Sequence, residues 1–178
     1  MKLLRLATTA IQATALYSAL AMAPAMADVT WHWSYTGAGI SATGSLVTAD
    51  SADADGFHQI LSISGSRNGD AIVALVPTGT AIPGNEPYDV DNLIRLSGPG
   101  QLSLKGFGYE LASGAYANPY YADFLSPPSH AEVFTQGGAL VSELPVVFTA
   151  SPVPEPSSLT LVLCGLGAVG LWRRRVLR

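Results

Sequence analysis

Trp31, Trp33 and Tyr35 stand two residues apart with His32 and Ser34 between them, and this spacing constrains the fold more than any other feature of the chain. Successive side chains of an extended strand point to opposite faces, so the run puts its large rings on one side and its polar groups on the other. The same period returns in Phe57, Gln59, Leu61 and Ile63, set against His58, Ile60, Ser62 and Ser64. Asn68-Gly69 follows, a dipeptide that favours φ > 0 in a tight hairpin turn, and Ala71–Val76 is apolar on both faces, as a returning interior strand would be. Between Asp28 and Pro152 no stretch keeps a helical apolar stripe for three turns.

The remaining segments fit the same class. Ile40–Thr48 is small and β-prone, whereas Pro77, Gly79, Pro83, Gly84 and Pro87 mark a loop. Leu93–Leu96 and Gln101–Leu111 resume strand character on either side of Gly98-Pro99-Gly100. Within the second, Leu102 and Leu104 share one parity and Phe107, Tyr109 and Leu111 the other, which predicts a bulge at Gly106. Val133-Phe134 and Leu140–Ala150 supply the last strands. The expected fold is mainly β, a single antiparallel β-sandwich of roughly seven to nine strands with jelly-roll topology open.

Both ends of the chain differ from this middle. Met1–Arg5 is basic, Leu6–Met22 is moderately apolar, and Ala25-Met26-Ala27 is a small-residue cleavage motif, so residues 1–27 read as a signal-peptide helix cut between Ala27 and Asp28. Thr8, Thr9, Gln12 and Thr14 make that segment too polar for a permanent span. The β ectodomain occupies 28–152. Residues 153–178 then run through Pro154-Glu155-Pro156, a spacer to Ser158, an apolar run over 159–172 and a basic tail over 173–178. As a helix the run reaches about 21 Å, short of a hydrocarbon core of about 30 Å. Arg173, Arg174 and Arg175 hold its end on the cytoplasmic side. Such a short transmembrane helix suits brief anchoring in the inner membrane.

Pro154-Glu155-Pro156, the short apolar run and the arginine cluster, in that order, resemble the PEP-CTERM sorting signal of Gram-negative bacteria. The resemblance implies that signal peptidase and a membrane-embedded, transpeptidase-like exosortase process the protein, the second near Pro154–Ser158. More loosely, Ile63–Ile72, Ala81–Tyr88, Asp91-Asn92-Leu93 and Tyr120–Leu125 resemble ectodomains of other tail-bearing proteins, which implies a shared β fold without an activity.

Charge narrows the partners. All 13 acidic residues lie between Asp28 and Glu155, where Arg67, Arg95 and Lys105 are the only lysines and arginines. So acidic a domain repels nucleic acid and anionic headgroups. The single cysteine, Cys164, lies in the apolar tail, so the ectodomain has no disulfide and no thiolate site.

No catalytic motif emerges, and neither a cofactor nor a metal is expected. Asp50, Asp53 and Asp55 precede Gly56, but an EF-hand register set by Gly56 would put Ser51 and Ser62 at the acidic positions. An acidic solvated turn is the expectation there, with a non-EF cation loop as the alternative. His32, His58 and His130 show no metal-ligand spacing, and no G-x-S-x-G elbow occurs. Trp31, Trp33, Tyr88, Tyr109, Tyr116, Tyr120, Tyr121 and Phe124 are able to stack on sugar rings or to fill a core. The two tryptophans are assigned to the core, and Tyr120 and Tyr121, within Asn118–Pro128, are the candidate glycan contacts. The function expected is a non-catalytic structural or glycan-contacting component of the cell surface or exopolysaccharide matrix. The competing reading is an exported hydrolase acting on that matrix.

Overall fold

The computed structural model describes residues 28–153. Among these the chain forms β1 (Val29–Gly37), β2 (Ile40–Ala52), β3 (His58–Arg67), β4 (Asp70–Leu75), β5 (Leu93–Ile94), β6 (Tyr109–Leu111), β7 (Tyr116–Ala122), β8 (Ser129–Gln136) and β9 (Ala139–Pro152), and no helix. The two helices expected at the termini lie outside the described residues.

The strands do not divide into two sheets. They follow the order β2-β1-β9-β8-β7-β6-β4-β3, and β3 pairs back onto β2, so eight antiparallel strands close a barrel. β5 adds to the start of β3 through His58↔Ile94 and Gln59↔Leu93. The expected β-sandwich, jelly-roll variant included, is therefore replaced by a closed barrel. One apolar face per strand satisfies either architecture. The decision lies in the β2–β3 ladder, which runs from Ala42↔Arg67 to Val47↔Ser62 before a register shift. Two glycines face each other across it: a Cβ on Gly44 would lie 1.9 Å from the Ser64 carbonyl oxygen, and Gly65 has φ +141. Only glycines allow the strands to approach this closely and coil enough to close.

Side chains fill the interior, as an eight-stranded barrel allows. Trp31, Trp33 and Tyr35 point inward with Leu46, Tyr109, Leu111 and Phe148. The Trp33 ring stands 5.8 Å from Tyr35 and 5.7 Å from Phe107, and the Trp31 indole N–H donates to Thr48 Oγ1 at 2.9 Å. Two local expectations change. The shift at Val47/Thr48 pairs Thr48 with Ile60, so Ile60 is buried while Leu61 faces out, against the unbroken alternation read from Phe57 to Ile63. Of the expected strand Gln101–Leu111, only Tyr109–Leu111 is regular. Gly106, at φ +61, lies against the Pro119 carbonyl, and the loop turns there to push Phe107 into the barrel.

Register places tight connections between β1 and β2, β3 and β4, β6 and β7, and β8 and β9 at one end. Asn68 (φ 50) and Gly69 (φ 84) make the second of these. The opposite end carries the long connections and both termini, since Trp31 pairs with Pro152 and the Val153 N–H donates to the Thr30 carbonyl at 2.7 Å. The outward rows of β1 to β3 carry Thr30, His32 and Ser34, Ser41, Thr43 and Ser45, and Ser62 and Ser64. Leu61 of β3, Val73 of β4 and Leu140, Val141 and Val147 of β9 are exposed as well.

Candidate functional site: a groove beside the outer wall

The connection from Val76 to Asn92 is the reason one wall of the barrel is covered twice. It folds back on itself through Gly79 N–H to Val90 O at 2.8 Å and Val90 N–H to Thr80 O at 2.9 Å. Ile82 and Val90 are fully buried against the outward-facing Val133 of β8, with Tyr116 and Tyr120 of β7 beside them. Asn92 pins the base: its side-chain amide donates to Val76 O at 2.8 Å, and its Oδ1 accepts from Gly108 N–H at 3.2 Å. We call this segment the strap.

A groove of about 420 Å³ runs between the strap, the segment around Lys105 and the outer faces of β7, β8 and β9. Tyr88, 70% exposed, and Phe124, 69% exposed, border it, and Tyr120 forms part of its wall. The Tyr120 hydroxyl donates to Glu143 Oε1, and burial, then that bond and charge, raise the phenol's pKa. Lys105 and Asp89 form an ion pair at 2.8 Å. Its hydrogen bond pulls the Asp89 carboxyl below its ordinary pKa and pushes the Lys105 ammonium above its own. The Asn118 amide donates to the carbonyls of Lys105 and Phe107, each at 3.0 Å, which holds that segment on β7.

The other candidates are distributed elsewhere. Tyr121 is buried inside the barrel, its ring 5.0 Å from His130 and tilted at 56° to it, whereas Tyr120 lines the groove on the outside. Burial lowers the pKa of His130. His58 Nδ1 lies 3.0 Å from the Ala49 carbonyl oxygen. Asp53 Oδ1 accepts the N–H groups of Asp55 and Phe57, both at 2.9 Å, so this carboxylate ties its own turn. Among the described residues no group of three His, Cys, Asp or Glu side chains is placed to hold a metal ion.

His32 Nδ1 and Ser45 Oγ lie 3.3 Å apart as cross-strand partners on the open outer face of β1 and β2. Among the described residues no carboxylate hydrogen-bonds this imidazole, so it lacks the orienting acid of a triad. Sequence reasoning missed Asp89, Lys105 and Glu143 as groove residues. Glu143 has outward parity on β9, but nothing local tells that the strap meets this wall.

The last described residues, Pro152 and Val153, begin the region 152–175, which matches the family model for the PEP-CTERM protein-sorting motif. The chain carries a PEP-CTERM sorting signal. It is therefore an exported protein sorted by exosortase, in transit through a C-terminally membrane-anchored state. Neither the curated proteins nor the solved structures give a match. Pro154, Glu155, Pro156, the arginines at 173–175, and Ala25 and Ala27 lie outside the described residues; Asp28 is the first residue within them. The PEP-CTERM signal thus starts on the final residue of β9, with no linker between barrel and motif.

Proposed function

We propose that the mature protein is a non-catalytic component of the cell surface or extracellular matrix that contacts exopolysaccharide through its outer wall. The observation that carries this reading is the exosortase sorting signal leaving the same barrel end as the N-terminus. Residues 154–158 span at most about 18 Å, so while the tail is anchored that end is held close to the bilayer. The groove lies on the side wall and stays open to solvent and polymer.

The chemistry of the groove favours binding over hydrolysis. Asp89 and Glu143 both line it, and a glycosidase pair would need one carboxyl kept protonated by its surroundings. Asp89 is driven the other way by Lys105, and Glu143 accepts the Tyr120 hydroxyl. Aromatic rings at the border, with polar groups between them, are a common form of a saccharide-contacting surface.

The reading predicts that exported protein co-sediments with its producer's own exopolysaccharide while releasing no reducing ends from it. Absence of co-sedimentation overturns the matrix role. Reducing-end release that is lost in Asp89→Asn and Glu143→Gln would replace it by the hydrolase.

A further inference from the structure

The groove combines exposed rings, a carboxylate and a rigid frame, and its contents specify more than a generic sugar contact. Tyr88 and Phe124 present their side chains largely uncovered at the groove, one on the strap and one on the β7–β8 connection. Solvent-exposed aromatic surface is costly to leave in water. The axial C–H bonds of a pyranose ring match such a face in size and polarity. A volume of about 420 Å³ is in the range of small-molecule sites. The strap is already fixed by the Asn92 hydrogen bonds and the Ile82–Val90–Val133 cluster, so little ordering entropy remains to oppose binding.

Charge selects among sugars. Lys105 is matched by Asp89 at 2.8 Å, which leaves the Glu143 carboxylate as the unmatched charge of the groove. The surrounding domain is acidic throughout, with only Arg67, Arg95 and Lys105 among its lysines and arginines, so its field attracts cations and repels uronate or phosphate groups.

We propose that the groove is a saccharide site for polysaccharides bearing free amino groups, with Tyr88, Tyr120 and Phe124 against the pyranose faces and Glu143 facing an ammonium. The site deepens the matrix-contact reading and rests on it for its biological role, but its ligand chemistry is tested separately. An acidic protein attracts any polycation, so the rings must be separated from the charge.

The test titrates the exported protein with glucosamine hexamer, its N-acetylated counterpart and an oligouronate, following amide chemical shifts and calorimetry. Wild type should bind the hexamer at least tenfold more tightly than the acetylated chain, with no binding of the oligouronate. The double variant Tyr88→Ala/Phe124→Ala, which keeps every charge and alters only exposed rings, should lose at least tenfold in affinity. Glu143→Gln, which retains an acceptor for the Tyr120 hydroxyl, should bring the free and acetylated chains within about twofold of each other. Unchanged hexamer binding by the ring variant, or shifts mapping away from the strap and β7–β9, means polycation attraction only and overturns the proposal. Equal co-sedimentation of wild type and ring variant with native exopolysaccharide would overturn the groove's role and leave the matrix reading standing.

Discussion

Glu132→Ala is expected to remove about 3–5 kcal/mol of folding stability, the usual cost of stripping one partner from a buried ion pair. Glu132 is wholly enclosed on the inner face of β8, and Arg67, at the end of β3, is 8% exposed. The guanidinium donates to both carboxylate oxygens, with Nη2 to Oε1 at 2.6 Å and Nε to Oε2 at 3.0 Å, and lies 3.9 Å over the Phe134 ring. The Tyr35 hydroxyl donates to the same carboxylate, so its one proton is used and Tyr109 donates to Tyr35. Burial, then the neighbouring Tyr109 and Glu132, push the Tyr35 phenol well above its ordinary pKa. Burial opposes the Arg67 charge, but the bonds and charge of Glu132 outweigh it and leave that pKa raised.

Removing Glu132 strands a buried cation and leaves the Tyr35 hydroxyl proton without its acceptor. Against a total of about 5–15 kcal/mol for a domain, this loss is large. Replacing both charges, as Arg67→Met with Glu132→Leu, should recover the part due to the stranded cation, because a matched apolar pair carries no charge desolvation cost, while the Tyr35 hydroxyl still lacks its acceptor. Urea denaturation of Glu132→Ala and of the four members of the Arg67→Met/Glu132→Leu cycle measures the effect. A Glu132→Ala variant within about 1 kcal/mol of wild type would contradict the role given to the pair.

Replacing Arg173, Arg174 and Arg175 together by Ser should abolish orderly sorting. Each arginine costs roughly 2.5–3.5 kcal/mol at a helix centre on insertion scales, so the three outweigh the tendency of a short apolar run to slide through the bilayer. Without them the tail slips to the periplasmic side, and exosortase loses its substrate in the membrane. Glu155→Gln lies outside the apolar run and should leave membrane retention intact while changing cleavage only. Fractionation and immunoblotting follow both steps. Normal processing of the triple variant would remove the stop function from the arginines.

How far the sequence could be read follows from which interactions are local. Trp31, Trp33 and Tyr35 declare their inward face by parity alone, and Asn68-Gly69 declares its turn by the φ values it tolerates. Closure is a non-local matter. A sandwich and a barrel ask the same alternation of each strand, and what distinguishes them here is a ladder between Gly44 and Gly65. Glycines inside two strand-like runs were the available signal, since a strand interior gains nothing from glycine unless another backbone comes near. The long run Gln101–Leu111 misleads for a related reason: Phe107 takes its place in the core from a loop, where parity has no meaning.

The site divides in the same way. Adjacent Tyr120 and Tyr121 must face opposite sides of β7, but which one the core takes depends on the barrel, and it takes Tyr121. The groove needs the strap laid across β7–β9, a contact between segments far apart in sequence that no local pattern announces. Arg67 and Glu132, 65 positions apart, are hidden for the same reason. The PEP-CTERM signal was legible because it is written as a linear order of a motif, an apolar run and a charge cluster.

Export followed by release from the tail is the expectation that the sorting signal raises for this barrel. Intact-mass measurement of the protein recovered outside a producer with active exosortase tests it directly. The expected species begins at Asp28 and lacks Leu159–Arg178, its C-terminus falling between Val153 and Ser158. A species still carrying Leu159–Arg178 would contradict it and make the tail a permanent anchor.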